Sequence, residues 1–333
     1  MTAREPAGEP LVLRSRLPAE AAGSLLADWL ATRFRYLDRA QWQQELAAGQ
    51  VHLDGRVARG CEVLRAGQEL AWHKVHREPF AELTVPVLHE DADLLVVDKP
   101  AHLPMHADGP FVQNTLVQVL RQRLQVPTLD LVHRLDRETS GVLVLAKSAR
   151  ATKSLLAQFA AHSVQKNYLA VVRGLVAADG AIDAAIGHSS TSSIALRRAV
   201  GPTARDAKSA HTQFTVVQRG PSATLLRCVP RTGRTHQIRV HLESVDHPIL
   251  GDKLYGVPDA DYLAFVHAVK EHGDARRVPA DRPHRQLLHA ESLAFLHPAT
   301  GAAVAFTVPA PALFAEWLQR PAAGPMPGTS SSG

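Results

Sequence analysis

Two short apolar runs constrain the fold of this chain more than any other feature. Leu94-Leu95-Val96-Val97 is stopped by Asp98-Lys99-Pro100, and Val142-Leu143-Val144-Leu145 follows directly on Gly141. Each has the length of a strand and is bounded by a chain-breaking residue, so both are expected to be buried strands. Further strands are expected at Tyr168 to Val172, Thr212 to Gln218, Thr224 to Val229 and Ala303 to Val308. Helices are expected through Leu116, Val119 and Leu120 and from Ala149 to Ala161. Asn114 or Thr115 can cap the first of these by accepting from first-turn amides. This mixed order of elements implies an α/β or α+β sheet domain.

The stretch before these runs is a smaller unit. Leu26, Trp29, Leu30 and Phe34, then Leu37, Trp42 and Leu46, fit two short amphipathic helices. Val51 and Leu53 alternate into Asp54-Gly55, the start of a hairpin, and Val63 and the segment ending at Trp72 would complete a small sheet. The charged segment from His73 to Glu82 is the expected domain boundary. The first ten residues and the segment from Pro321 are rich in Pro, Gly, Ala and Ser and read as tails.

Composition excludes several classes. Hydrophobic residues make up 45% and charged residues 21% of the 333 residues, the balance of a folded globular protein. Lys and Arg outnumber Asp and Glu by 37 to 32, which favours an anionic partner only weakly. Cys61 and Cys228 lie far apart and are expected to be reduced thiols. With no apolar run of membrane-spanning length and no signal peptide, the chain reads as a soluble cytoplasmic protein without a membrane partner.

Two clusters carry chemistry. The first is the polar loop Leu131-Val132-His133-Arg134-Leu135-Asp136-Arg137-Glu138-Thr139-Ser140-Gly141, in which Arg134 and Arg137 would favour the charged form of Asp136. A structural Asp and Arg pair in a turn would look the same. The second, from Arg231 to His241, gathers Arg, His and hydroxyl donors around Gly233, a set suited to phosphate oxygens and a buried carboxylate. His236 and His241 are five apart and no Cys accompanies them, so no metal is expected. A dinucleotide glycine loop and a P-loop are also missing, and no cofactor is expected.

These clusters, with three further segments in order, resemble the RluA-type pseudouridine synthases. The Asp136 loop is similar to the family's His-Arg-Leu-Asp, Thr-Ser-Gly signature. Leu94 to Pro100 resembles its strand ending in Lys-Pro, and Lys166-Asn167-Tyr168 its Lys, any residue, Tyr element. Thr232 to His241 with His247 to Asp252 resembles the late Arg-rich motif, and Leu287-Leu288-His289-Ala290 the closing strand. Residues 13 to 76 resemble the S4 type of RNA-binding module through Gly49 to Gly55 and Ala66-Gly67-Gln68. Leu25-Leu26-Ala27 stands where that module usually has Arg-Leu-Asp.

The resemblance implies a mixed, largely antiparallel sheet catalytic domain over 85–318, a small α/β S4-like domain over 13–76, and flexible tails at 1–12 and 319–333. It implies a monomer that isomerises uridines in ribosomal or transfer RNA. Asp136 would act on the sugar, either by attacking C1′ or by removing the 2′ proton. Arg239 would pair with it, and Tyr168 would stack on the base. Arg134, His133, Ile238, Arg234 and His236 would bind substrate, with Arg134 filling the gap left by a flipped-out nucleotide. The stretch from Val257 to Arg285 reads as an insertion forming a surface helix and loop. An RNA-binding factor with an inactive domain, and a hydrolase pairing Asp136 with Glu138, are the competing readings.

Overall fold

The computed structural model describes residues 10–34, 37–75, 78–126 and 128–321. The chain divides into two compact units, Met1–Glu78 and Pro79–Gly333.

In the first unit, strands Pro10–Arg16, Glu69–Val75, Val51–Leu53 and Arg56–Val57 form one antiparallel sheet in that order. Asp54 and Gly55 both have positive φ (49° and 78°), as a two-residue hairpin turn requires. The helices are Leu26–Arg33 and Arg39–Ala47. Asp38 and Gln41 form a capping box at the start of the second. Leu26, Leu30, Trp42, Leu46, Val51 and Trp72 make the core, with the Trp42 and Trp72 rings 4.8 Å apart. Val63 departs from expectation. It lies in a single bridge with Leu25, and Glu69–Val75 alone completes the sheet.

The tails expected at 1–12 and 319–333 lie mostly outside the described residues. Where they are described, they are ordered. Residues 10–12 belong to the strand Pro10–Arg16, whose backbone groups pair with Glu69–Val75. Arg320 donates to Glu316 and Ala280 and lies over the Trp317 ring. The helix Ala312–Leu318 is thus held through its last turn.

The second unit is a mixed α/β structure with a largely antiparallel ten-stranded sheet. Eight of its strands follow the order Gly180–Asp183, His211–Arg219, Ala223–Pro230, Gln165–Arg173, Leu288–Leu296, Ser140–Ala146, Leu94–Lys99, Val87–Glu90, while Ala303–Thr307 pairs with Leu288–Leu296 and Asp130–Leu131 with Ser140–Ala146. The two apolar runs are continuous because both faces of their strands are covered. Leu95, Val97, Leu143 and Leu145 pack against Leu116 and Leu120 of the helix Leu116–Leu124. The alternate residues Leu94, Val96, Val142 and Val144 pack against Ala151 and Leu155 of the helix Ala149–Ala160. Each such side chain, fully withdrawn from water, contributes about 1.5–3 kcal/mol before chain entropy is counted. Thr115 caps the first helix and Ser148 the second.

Strands Leu288–Leu296 and Ser140–Ala146 run parallel, with Ala290 opposite Gly141. Gly141 has φ 113°, and a Cβ there would stand 2.2 Å from the Ala290 carbonyl oxygen, so no other residue fits. One small sheet was not legible. Ile186–Ser189, Arg198–Val200 and Ala204–Lys208 form a separate three-stranded sheet. The segment 257–285 holds a helix, Asp259–His272, with no buried residue, followed by a loop. Among the described residues, no helix is long and apolar enough to cross a membrane.

His102, in the loop after Lys99-Pro100, is 5% exposed with φ 62°, and neither ring nitrogen has a hydrogen-bond partner among the described residues. Burial pushes its pKa down to about 3. Between that value and the ordinary one near 6.5, the unfolded chain holds a proton that the folded chain does not, so stability falls as pH falls through this window. Glycine accepts the backbone conformation without the imidazole. In urea denaturation at pH 7, 6 and 5, His102→Gly is expected to flatten the loss of stability, by a difference that approaches one proton, about 1.4 kcal/mol per pH unit, below pH 6. An unchanged slope would show that His102 is not a buried neutral imidazole.

Candidate active site

The Asp136 loop joins the short strand Asp130–Leu131 to Ser140–Ala146, with which it pairs. Three polar side chains that follow Asp136 in this loop, Glu138, Thr139 and Ser140, are tied down from the far end of the chain. Glu138 Oε2 accepts from Lys253 Nζ (2.8 Å) and the backbone N–H of Gln286 (3.0 Å). Thr139 Oγ1 accepts from Gln286 Nε2 (2.7 Å), and Ser140 Oγ accepts from Arg285 Nη1 (2.9 Å). His289 donates through Nε2 to the Val308 carbonyl, so its Nδ1 accepts from Ser140 (2.8 Å). Lys99, fully buried, donates to the carbonyls of Pro100 and Arg137. Through this network the Thr-Ser-Gly and Lys-Pro elements hold the loop in place.

Asp136 is turned the other way. Its Oδ2 accepts from Arg239 Nη1 at 2.7 Å, and about a fifth of its side chain is exposed. Burial alone would raise its pKa, but Arg239, then His236, hold it down at about 2, with Arg134 a smaller contributor. The expectation that flanking arginines favour this charge holds for Arg134, while the larger contributions come from Arg239 and His236. Arg137 instead donates to Glu138 and lies over the Phe111 ring.

Arg239 is itself fixed from behind. Its Nε and Nη2 donate to Asp252 Oδ2 (2.6 Å) and Oδ1 (2.9 Å), and the guanidinium carbon lies 4.9 Å from the Tyr255 ring centroid. Asp252 also accepts the backbone N–H groups of Leu254 and Tyr255. One guanidinium thus bridges two carboxylates, a geometry open to arginine and not to lysine. Arg239 stands on the helix Gln237–Glu243, where the sequence reading placed no helix. His236 precedes the helix with φ 58°. Gln237 fastens its start, accepting from Thr232 and from the Arg234 backbone and donating to His211 and Thr212. His241 serves the same packing, bonded to Thr212 and Ala184.

A cavity of about 450 Å³ opens over Asp136, within the range of ligand-binding clefts. Asp136 is the one carboxylate among its described lining residues; Arg134, Lys166, Arg234 and Arg239 supply positive charge and Leu135, Ile238 and Leu288 apolar surface. All eight residues expected in the site line it: Asp136, Tyr168, Arg239, Arg134, His133, Ile238, Arg234 and His236. Their situations differ. Tyr168, on Gln165–Arg173, is held in its neutral form by burial and by the charge of Asp136. Arg134 is exposed and free of hydrogen bonds among the described residues. Arg234 donates through Nε to the Ser209 carbonyl. Ile238 is 6% exposed and belongs to the core beneath. His133 accepts from the Val144 backbone N–H and stacks on Phe159, a bracing position at the cavity wall. Asp252 and Tyr255 were missed as site residues. Both fall in or beside a matching motif, but only their contacts with Arg239 reveal what they do.

Among the described residues, no group of His, Cys, Asp and Glu is arranged to hold a metal ion. An ionised carboxylate and a neutral phenol thus line one cavity whose other charged residues are basic. Residues 93–244 match the family model described as RNA pseudouridylate synthase. The ribosomal large subunit pseudouridine synthase D of Xanthomonas campestris is 36% identical over 313 residues, covering 91% of this chain and 89% of that protein. The synthase D of Pseudomonas aeruginosa is 32% identical, covering 91% and 93%. Among solved structures, human RNA pseudouridylate synthase domain containing 1 aligns with a TM-score of 0.55 at 29% identity, over 70% of this chain and 86% of that one. The chain belongs to the RluA-type family and is an RNA pseudouridine synthase.

Proposed function

We propose that this synthase modifies ribosomal RNA, with Asp136 as its catalytic carboxylate acting on a nucleotide turned out of its stack. The observation that carries the reading is the site itself: a single lining carboxylate, kept ionised by a guanidinium that a second carboxylate fixes. Tyr168 supplies a flat face for the freed uracil, and Ile238 an apolar support. Unpaired and exposed at the rim, Arg134 is free to enter the gap left in the RNA, whose opening costs a few kcal/mol. Hydrolysis by paired carboxylates is disfavoured, because Glu138 is consumed by Lys253 and Gln286 and does not line the cavity. The isomerisation takes up no redox equivalent and no external group, so no cofactor enters the reading.

Ribosomal RNA is favoured over transfer RNA by the names of the similar proteins, which specify the large ribosomal subunit. The first unit, two helices followed by a hairpin sheet, is read as an S4-like module that adds RNA affinity. Mapping pseudouridine across total RNA, from cells with and without this protein, tests the substrate. Loss of particular sites in large-subunit ribosomal RNA, restored by the wild-type protein and not by Asp136→Ala, is the expected result. Loss confined to transfer RNA would overturn the ribosomal assignment.

A further inference from the structure

A chain of hydrogen bonds with one consistent direction runs from the back of the site into the cavity. The Tyr255 phenol oxygen accepts the backbone N–H of Arg198 (3.0 Å) and lies 2.9 Å from His236 Nδ1. Among the described residues, that nitrogen is the acceptor the phenol proton reaches. With Nδ1 accepting, an uncharged imidazole carries its proton on Nε2. The imidazole is uncharged near neutral pH, since burial and then Arg239 push its pKa down to about 4. Nε2 stands 4.0 Å from Asp136 Oδ1, beyond hydrogen-bonding distance, while Arg239 occupies Oδ2. An acceptor oxygen and a donor nitrogen therefore face the cavity side by side, each unsatisfied by the other.

An atom that meets both must accept from the imidazole and donate to the carboxylate. The uracil carbonyls only accept, and its N3–H only donates. Inside a polynucleotide the 3′ and 5′ oxygens are esterified, which leaves a single group of the required kind. We propose that Asp136 Oδ1 and His236 Nε2–H together bind the ribose 2′-hydroxyl of the target nucleotide, with Tyr255 as the residue that positions His236. The carboxylate accepts the hydroxyl proton and the imidazole donates to its oxygen. Such a contact separates RNA from DNA at the reacting nucleotide, and it places the carboxylate beside C1′. It rests on the reading of Asp136 as the group that meets the target ribose.

The test is equilibrium binding of an RNA fragment carrying either uridine or 2′-deoxyuridine at the modified position. It is measured in the Asp136→Ala protein, so that no turnover intervenes. Loss of one neutral hydrogen bond should weaken binding of the deoxy fragment about fivefold. Adding His236→Asn should abolish that difference. Adding His236→Gln, whose amide nitrogen reaches the Nε2 position, should preserve most of it, and adding Tyr255→Phe should reduce it. A purely structural role predicts the opposite order, because Asn tolerates the left-handed backbone at 236 better than Gln does. Equal discrimination in all four proteins, or better retention by Asn, would overturn the proposal. Turnover surviving in the Asp136→Ala protein would instead sink the reading of Asp136.

Discussion

Asp136→Ala is expected to abolish turnover, by at least about 10⁴-fold, while leaving the fold intact. The loss is large because the cavity offers no substitute: among the described lining residues no other carboxylate is present, and Glu138 is bound elsewhere. The fold survives because Arg239 keeps both of its bonds to Asp252. Folding of the variant is checked by urea denaturation, with a change under about 1 kcal/mol expected for a partly exposed group whose partner stays paired. Held at about 2, the Asp136 pKa also means that its charge stabilises the fold above the unfolded carboxylate value near 3.9 and is lost only as pH falls toward 2. Any loss of activity between pH 5 and 7 would therefore belong to other groups. An Asp136→Ala protein that retains a tenth of wild-type activity would refute this account of the site.

Arg239→Ala should fail in both respects. The substitution strips two carboxylates of their counter-charge, one of them, Asp252, with a fully buried side chain. Removing one partner from a buried ion pair costs about 3–5 kcal/mol, because the stranded charge cannot regain its hydration. Part of the Asp252 charge stays satisfied by the Leu254 and Tyr255 amides, which places the expected loss toward the lower end of that range. Arg239→Lys should restore some of this stability and little of the activity, since an ammonium cannot present three N–H groups in a plane to two carboxylates. The comparison is made by denaturation and by turnover on the same preparations. Stability of Arg239→Ala within about 0.5 kcal/mol of wild type would contradict the bridging role.

The parts of this molecule legible in the sequence are those where local pattern and tertiary demand agree. Leu94 to Val97 and Val142 to Leu145 read as buried strands because both sheet faces are covered, leaving no polar alternation to hide them. The helix Gln237–Glu243 was hidden for the opposite reason. Six of its seven residues are buried, Gln237, Arg239 and His241 among them, so it shows no amphipathic stripe, and it starts from a left-handed His236 without a side-chain cap. The sheet of Ile186–Ser189, Arg198–Val200 and Ala204–Lys208 is short, half-exposed and rich in Ala and charged residues, a composition that carries little strand signal. Within the site, Asp136 and Arg239 stood out through their motifs. Asp252 and Tyr255 act only through Arg239 and His236, and such contacts are not encoded in any spacing along the chain.

Rejoining uracil to the sugar through C5 must expel the hydrogen that C5 carried, and this gives the most direct measurement. Ribosomal RNA labelled with tritium at C5 of its uridines is incubated with the purified protein, and tritium is followed into water. Release that tracks protein concentration, is absent with Asp136→Ala, and leaves no free uracil is the predicted result. Release of labelled free uracil, or label that stays in the RNA while the protein binds it, would contradict isomerisation and leave a hydrolase or a binding protein in its place.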